Sequence, residues 1–392
     1  MGRSRFIKWR GVFCLVPAIL APAFAQSQAD GGIQAVDVGN RMRELVPSRI
    51  VDFEAVDSEP NLSLPSTMVD YPHCLSDGAL VLISIDWDAV KRTPKGKIPK
   101  YNEIVTVVQG KTAKAILSAS ISDLTDFDVS DIFPSDSGIY LLLRGTKDKP
   151  GEGGQHKSPA GVPFSSYHNY VARFDLDGTY KGATELGINC DISRPGRCDL
   201  RHLAVFPSGD MLVTEPDPET STLKVLYLKS SGEVVKQIDV PASRKLMDWG
   251  DASPNPETVQ AATMFLASVY FTAVGDDIVA WRANSNDSVV EVRQGGVSRE
   301  VPIQTPEGWR FADMVASDDR WVVHFRTEST PPNVRMNTDI DAYYDVRPQD
   351  GSLSARLVQK GNIPLSIACE SSGTYTSFKM DDAGKMVLLR AR

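Results

Sequence analysis

Between Leu203 and Val240 apolar and polar residues alternate in four short runs, within LAVFPSGDMLVTEP and then LKVLYLKSSGEVVKQIDV. Ser208-Gly209-Asp210, a Pro/Asp/Thr loop and Ser230-Ser231-Gly232 separate the runs. Period-two alternation marks strands with one buried face, and glycine in the breaks supplies the positive φ that tight turns need. The stretch therefore predicts a four-stranded antiparallel meander. One such sheet cannot cover both of its faces, so the pattern has to recur along the chain.

It does recur. A first copy starts near Met68 with MVDYPHCL, ALVLISIDW, NEIVTVV and AKAILSASI. A second has LTDFDVSDIF, IYLLLRG, YVARFDLDG and YKGATELG, and the stretch from Leu203 is the third. The fourth reads SVYFTAV, IVAWRAN, SVVEVRQ and VSREVPI; the fifth reads RFADMVA, RWVVHFRT, DAYYDVR and LSARLVQ. Before the fourth copy, Asn255 followed by Pro256 predicts a capped helix running to about Met264. The sixth copy, TYTSFKM and KMVLLRAR, is two strands short, while IQAVDV and SRIVDFEAV near the N-terminus belong to no meander. Ring closure by those N-terminal runs would remove two exposed sheet edges. The expected fold is all-β: a six-bladed β-propeller with four-stranded antiparallel blades, closed by N-terminal strands pairing in the C-terminal blade. It occupies residues 33–392 as a single domain behind a flexible leader, 26–32.

The turn Phe174-Asp175-Leu176-Asp177-Gly178-Thr179, a D-x-D-G between third and fourth strands, resembles the six-bladed propellers of the NHL and TolB-like type. That resemblance implies the fold. It leaves activity open, because such rings serve both as binding scaffolds and as enzymes.

The first 25 residues stand apart from the fold. Arg3, Arg5, Lys8 and Arg10 precede a short apolar run, and Ala23-Phe24-Ala25 is a small-residue cleavage signal, so 1–25 reads as a secretory signal peptide and the expected location is periplasmic or extracellular. Its removal takes away four positive charges and no negative ones, moving the net charge from −8 to −12. An acidic chain does not suit nucleic acid, and no later run is long and apolar enough to cross a bilayer; the expected state is a monomer. Four cysteines remain after processing, and in an exported chain they favour disulfides. Cys190 and Cys198 bracket DISRPGR, whose Pro and Gly allow a return, so they are the expected bridge; Cys74 and Cys369 either pair or stay as buried thiols.

Function is sought in two places. In a propeller the connections between strands one and two and between three and four share one rim. Here all of them are short. The opposite rim takes the long segments 88–101, 146–168, 187–200, 241–264 and 328–341, and long connections are uncommon unless they are functional or disordered. Two of these segments are basic on an acidic body, through Lys91, Arg92, Lys95, Lys97 and Lys100 and through Lys147 and Lys149, a local field that would steer an anionic partner. The second place is the central channel. Counting back from each first turn puts Asp70, Asp128, His202, Asp313 and Thr376 at comparable depth, a set that could hold a hard cation such as calcium or simply line a wet hole. No nucleophile elbow, zinc-protease helix or phosphate loop occurs, so no catalytic residue and no cofactor is assigned. The expectation is a non-catalytic binding or scaffold propeller that recognises a protein or other ligand through its long-loop rim. The alternative is a metal-dependent, lactonase-like hydrolase acting from the channel, an analogy weakened by the lack of Asn at the matching positions.

Overall fold

The structure, a computed structural model, describes residues 46–55, 69–75, 79–85, 103–109, 112–117, 121–147, 167–188, 200–242, 245–246, 255–267, 271–274, 277–282, 287–316, 320–327, 341–360, 367, 369–371, 373–380 and 386–391. Its strands form six sheets, each built on an antiparallel meander. The first contains Val69–Cys74, Leu80–Ile85, Glu103–Gln109 and Thr112–Leu117. The second contains Asp126–Ser135, Gly138–Thr146, His168–Phe174 and Tyr180–Glu185. Leu203–Val205, Met211–Asp217, Thr222–Leu228 and Val234–Pro241 make the third, and Thr272–Val274, Ile278–Arg282, Ser288–Arg293 and Ser298–Pro302 the fourth. The fifth has Trp309–Ala316, Trp321–Thr327, Asp341–Val346 and Leu353–Gln359; the sixth has Cys369–Ser371, Thr374–Met380 and Met386–Ala391.

First strands of neighbouring sheets lie side by side. Asp126–Ser135 packs on Leu203–Val205, Thr272–Val274 on Trp309–Ala316, Trp309–Ala316 on Cys369–Ser371, and Cys369–Ser371 on Val69–Cys74. The last of these contacts brings the final sheet back against the first, the arrangement of an all-β propeller. Apolar faces meet between sheets: Phe206, Tyr227 and Trp281 share one core, and Trp309, Phe311, Trp321, Phe325 and Tyr344 share another. Each such side chain, fully buried, contributes ~2–3 kcal/mol relative to exposure.

The N-terminal runs divide their work. Glu54–Ala55 pairs antiparallel with Met386–Ala391 and completes the sixth sheet, as ring closure requires. Ser48–Val51 does not join that sheet; it lies parallel to Leu353–Gln359 as a fifth strand of the preceding one. The sixth sheet lacks only one strand, not two. Its first strand, Cys369-Glu370-Ser371, is too short and polar to show an alternation, and TYTSFKM is the second strand rather than the first. IQAVDV lies outside the described residues. The helix runs from Pro256 to Leu266, beyond the expected Met264, and the Asn255 side chain accepts the Glu257 N–H as its cap. Among the described residues no helix is long and apolar enough to span a membrane.

The D-x-D-G turn is one case of a device that recurs. Asp175–Thr179, Lys229–Glu233, Arg293–Val297 and Arg347–Ser352 each close with the same pair of backbone bonds. The glycines that end these turns, Gly178, Gly232, Gly296 and Gly351, all have φ between +68° and +88°. Two of them also touch the sheet before. The Gly187 N–H donates to Gly232 O at 2.8 Å, and the Gln304 N–H donates to Gly351 O at 3.0 Å. A Cβ on Gly232 would stand 2.1 Å from Glu185 O, and one on Gly351 would stand 1.9 Å from Pro302 O. The turn therefore clasps its sheet to the neighbouring one, through a contact only glycine permits.

A disulfide joins Cys74 to Cys369, with Cα atoms 5.7 Å apart and a sequence separation of 295. It ties the first strand of the first sheet to the first strand of the sixth, across the place where the ring closes. Cys190 and Cys198, the expected bridge, lie outside the described residues.

Two measurements test these locks. Gly295 also has positive φ, +91°, but a Cβ there meets nothing within 4 Å. Gly295→Ala should therefore cost only the ~1–2 kcal/mol of left-handed backbone. Gly232→Ala adds a collision with a carbonyl and should cost about 3 kcal/mol or more, read from denaturant midpoints; equal losses would refute the clasp. Cys74→Ser with Cys369→Ser should lower stability by ~2–5 kcal/mol, and an unchanged melt would show that the bridge contributes nothing to closure.

Candidate functional site

The two rims of the ring differ. On one, the described turns are short and hydrogen-bonded, as at Phe206–Asp210 and Lys229–Glu233. The connections 86–102, 147–167, 186–202, 242–271 and 328–340 all leave from strand ends on the other rim. The segment before the helix is fastened to that rim by Ser221, which holds φ +55° and whose hydroxyl accepts the Leu246 N–H at 2.8 Å. Lys147 sits at the foot of the 147–167 connection, with its ammonium 5.4 Å from the centroid of the Tyr170 ring. Lys91, Arg92, Lys95, Lys97, Lys100 and Lys149 lie outside the described residues.

The five channel residues read from the sequence lie on or beside strands of five different sheets. Asp70 and Asp128 are on first strands, opposite Ile83 and Arg144, and their side chains lie outside the described residues. Thr376 is on the second strand of its sheet, opposite Cys369, and is buried. The expected depth failed there because the short true first strand was not visible in the pattern. His202 precedes Leu203–Val205, and its Nε2–H donates to Ala267 O at 2.6 Å, since a carbonyl can only accept. Its backbone N–H donates to the Thr214 hydroxyl at 3.1 Å, and its Nδ1 is 3.8 Å from Asp131. Asp131 in turn accepts the Leu203 N–H at 2.7 Å. His202 is thus a joint between the helix end and the ring wall, and burial lowers its pKa to about 4. Among the described residues no three His, Cys, Asp or Glu side chains converge as metal ligands would.

Asp313 leads somewhere else. It lies in Trp309–Ala316 just past a bulge, opposite His324, which is opposite Tyr343. One row nearer the long-connection rim, Arg310, Arg326 and Asp341 are opposite one another. Directly paired residues, and residues two apart along a strand, share a face, so both rows belong to one face of the fifth sheet. The His324 Nε2–H donates to Asp341 Oδ1 at 2.8 Å, and the Arg326 Nε–H donates to the same oxygen at 3.1 Å. The Tyr343 ring stacks on the imidazole at 4.4 Å with the planes 4° apart. From the fourth sheet, Arg282 donates to Ala312 O at 3.0 Å, holding the bulge that aims Asp313.

Electrostatics follow from this enclosure. Burial pushes the His324 pKa down against the pull of Asp341, so the ring is neutral, Nε2 carries the proton, and Nδ1 keeps a lone pair. Burial of the carboxyl raises the Asp313 pKa although the residue as a whole is exposed. Tyr343 is pushed up to about 12, first by burial and then by Asp341 and Asp313.

Deeper along the same face the polar groups continue into the joint with the sixth sheet. The Tyr375 hydroxyl donates to Asp345 at 2.9 Å, and Arg49, from the added N-terminal strand, reaches both Asp345 at 2.5 Å and the Tyr375 oxygen at 3.0 Å. Glu370 accepts the Gly373 N–H at 2.6 Å and lies 3.8 Å from Arg320. This joint adds paired charges to an apolar cluster that includes Val51, Val322, Leu357 and Tyr375, where the joint between fourth and fifth sheets is aromatic and aliphatic. The sequence analysis did not single out His324, Arg310, Arg326, Asp341 or Tyr343. The signal was present: DAYYDV carries Asp341, Tyr343 and Asp345 at every second position, and RWVVHFRT carries Arg320, His324 and Arg326 on one face with only Val322 apolar among them.

No family model and no curated protein matches this chain. Solved structures share its fold at low identity. A protein of unknown function from Bacteroides caccae is 9% identical over 75% of this chain and 82% of its own, with a TM-score of 0.38. Virginiamycin B lyase from Staphylococcus aureus is 10% identical over 87% and 99%, with a TM-score of 0.35. A putative 6-phosphogluconolactonase from Bacteroides uniformis is 11% identical over 81% and 82%, with a TM-score of 0.36. Likeness of this grade says nothing about activity.

The buried neutral His202 gives a prediction with a sign. Its pKa is about 4 when folded and ~6.5 when unfolded. Between those values the unfolded chain binds a proton that the folded one refuses. Its contribution is complete above pH ~6.5 and is lost as pH falls toward ~4, of the order of 2–3 kcal/mol. Stability curves of the wild type and of His202→Gln, which keeps an N–H for Ala267, should converge as pH drops; parallel curves would show that His202 takes up its proton in the fold.

Proposed function

We propose that this protein is an exported six-bladed propeller, of the NHL and TolB-like type, that binds a protein or other ligand through its long-connection rim. One observation carries the reading: every described turn on one rim is trimmed and hydrogen-bonded, while the long connections and an open cluster of charged and aromatic side chains share the other. The six sheets and the closing pair Glu54–Ala55 support the blade count. The repeated glycine turns support the type, and the charged leader followed by an Ala-x-Ala signal supports export. The alternative, a hydrolase with a cation on the axis, needs several first-strand ligands to converge. His202 is committed to Ala267, and Thr376 is on a second strand. Those positions favour a binding scaffold over channel chemistry.

Capture of partners from the secreted or periplasmic fraction of the source cells tests the reading. Two variants are compared with wild type: one with 147–160 replaced by a short Gly/Ser linker, one with Lys91, Arg92, Lys95, Lys97 and Lys100 neutralised. At least one should lose a partner or show reduced salt sensitivity. Retention of every partner by both, or stoichiometric calcium surviving dialysis of the purified protein, would move the functional site to the channel.

A further inference from the structure

The geometry points to a ligand site where the fifth sheet meets the long-connection rim, fitted to a small hydroxylated carboxylate. The inference deepens the binding reading above and rests on it. Three features define the chemistry.

The first is a pair of cations. Arg310 and Arg326 are directly opposite one another across two strands, and like charges so placed are unfavourable. Arg326 has Asp341 as a partner, but the Arg310 guanidinium has no ion pair or hydrogen bond among the described residues. Both residues are exposed at the rim. An incoming carboxylate relieves the repulsion, and the planar fork of a guanidinium suits it.

The second is an acceptor. Asp341 fixes the proton of His324 on Nε2, which leaves the Nδ1 lone pair with no hydrogen-bond partner among the described residues. The ring is held in place by Tyr343 on one face and is 8% exposed. A rigid, nearly buried acceptor calls for a donor such as a hydroxyl. Asp313, in the same row and open to water, is a second oxygen acceptor for a polyol.

The third is spacing. Cations and acceptors stand on adjacent rows of one face, and the His324 and Arg326 side chains converge on a single Asp341 oxygen. The anionic group and the hydroxyls of the ligand must therefore be carried close together on one small skeleton. A neutral sugar leaves the arginines unmatched, and a simple anion leaves Nδ1 unmatched.

Calorimetric titration of the mature chain with D-glucuronate, against glucose and acetate as partial probes, tests the proposal. Saturable binding of glucuronate is expected at millimolar concentration, with both partial probes weaker by about tenfold, the worth of one charge-assisted hydrogen bond. Arg310→Gln alters an exposed side chain and should also weaken glucuronate by about tenfold. His324→Phe keeps the stacking on Tyr343 and removes Nδ1, and should do the same; if its melt shows a folding defect, Arg310→Gln decides alone. No saturable binding, equal binding of acetate or glucose, or unchanged affinity in Arg310→Gln would overturn the proposal. The variant lacking 147–160 should bind glucuronate as wild type does, so failure of the loop reading and failure of this site are told apart.

Discussion

Closure of the ring is the constraint on which the rest of the structure depends. Each sheet carries apolar residues on both faces and is covered only if a neighbour stands on each side. For the interior sheets the next repeat in the chain provides that neighbour. For the first and last sheets it must come from the far end of the sequence, at a large cost in chain entropy. Three contacts meet the requirement. Glu54–Ala55 supplies the missing outer strand, the Cys74–Cys369 bridge joins the first strands of the two terminal sheets, and Ser48–Val51 lays a further strand beside the fifth sheet. Two residues of strand pairing are weak alone. A covalent link spanning 295 residues restricts the unfolded chain far more, by ~5 kcal/mol in the chain-entropy model.

The polar joint beside the closing sheet follows from the same arrangement. Arg49 arrives with the added N-terminal strand and is answered by Asp345 and Tyr375, one from each of the two sheets. Such a network packs less efficiently than Phe and Trp, but its members must find particular partners, so it specifies register where an apolar joint would tolerate slippage. The partnered charges also bring polar side chains to the rim. His324, Asp341 and Arg326 are the rimward end of a polar face that starts at Glu370 and Asp345 inside the ring.

Much of this was readable in the sequence. Period-two alternation and glycine turns gave the strands of five meanders and the need for N-terminal closure, and Asn255-Pro256 marked the helix start. What was not legible has physical causes. Cys369-Glu370-Ser371 is too short to alternate, so the last sheet seemed to lack two strands, Ser48–Val51 was assigned to it, and Thr376 was placed one strand too far inward. Alternation shows that a residue faces a given side but not what it meets there. His202 and Asp313 read alike from their positions, yet one is buried against a helix end and the other is exposed beside His324. Cysteine pairing across 295 residues leaves no local trace at all.

The same contacts account for why one rim is trimmed and the other long. On the trimmed rim Gly232 and Gly351 accept hydrogen bonds from the preceding sheet at a distance that excludes any side chain. An insertion in those turns would break a bond between sheets as well as lengthen a loop, and the loss would fall on the stacking that holds the ring together. In the connections that leave the opposite rim only the first residues past the strand, such as Gly187, take part in the clasp, and where a connection is fastened farther along, as at Ser221, the bond goes to the connection itself. Lengthening a surface connection costs little in chain entropy, because the closure term grows only with the logarithm of length. The fold thus leaves one rim free to gain chemistry and holds the other fixed, and a ligand site built on strand residues such as His324 and Arg310 inherits rigidity from the clasped side while opening toward the free one.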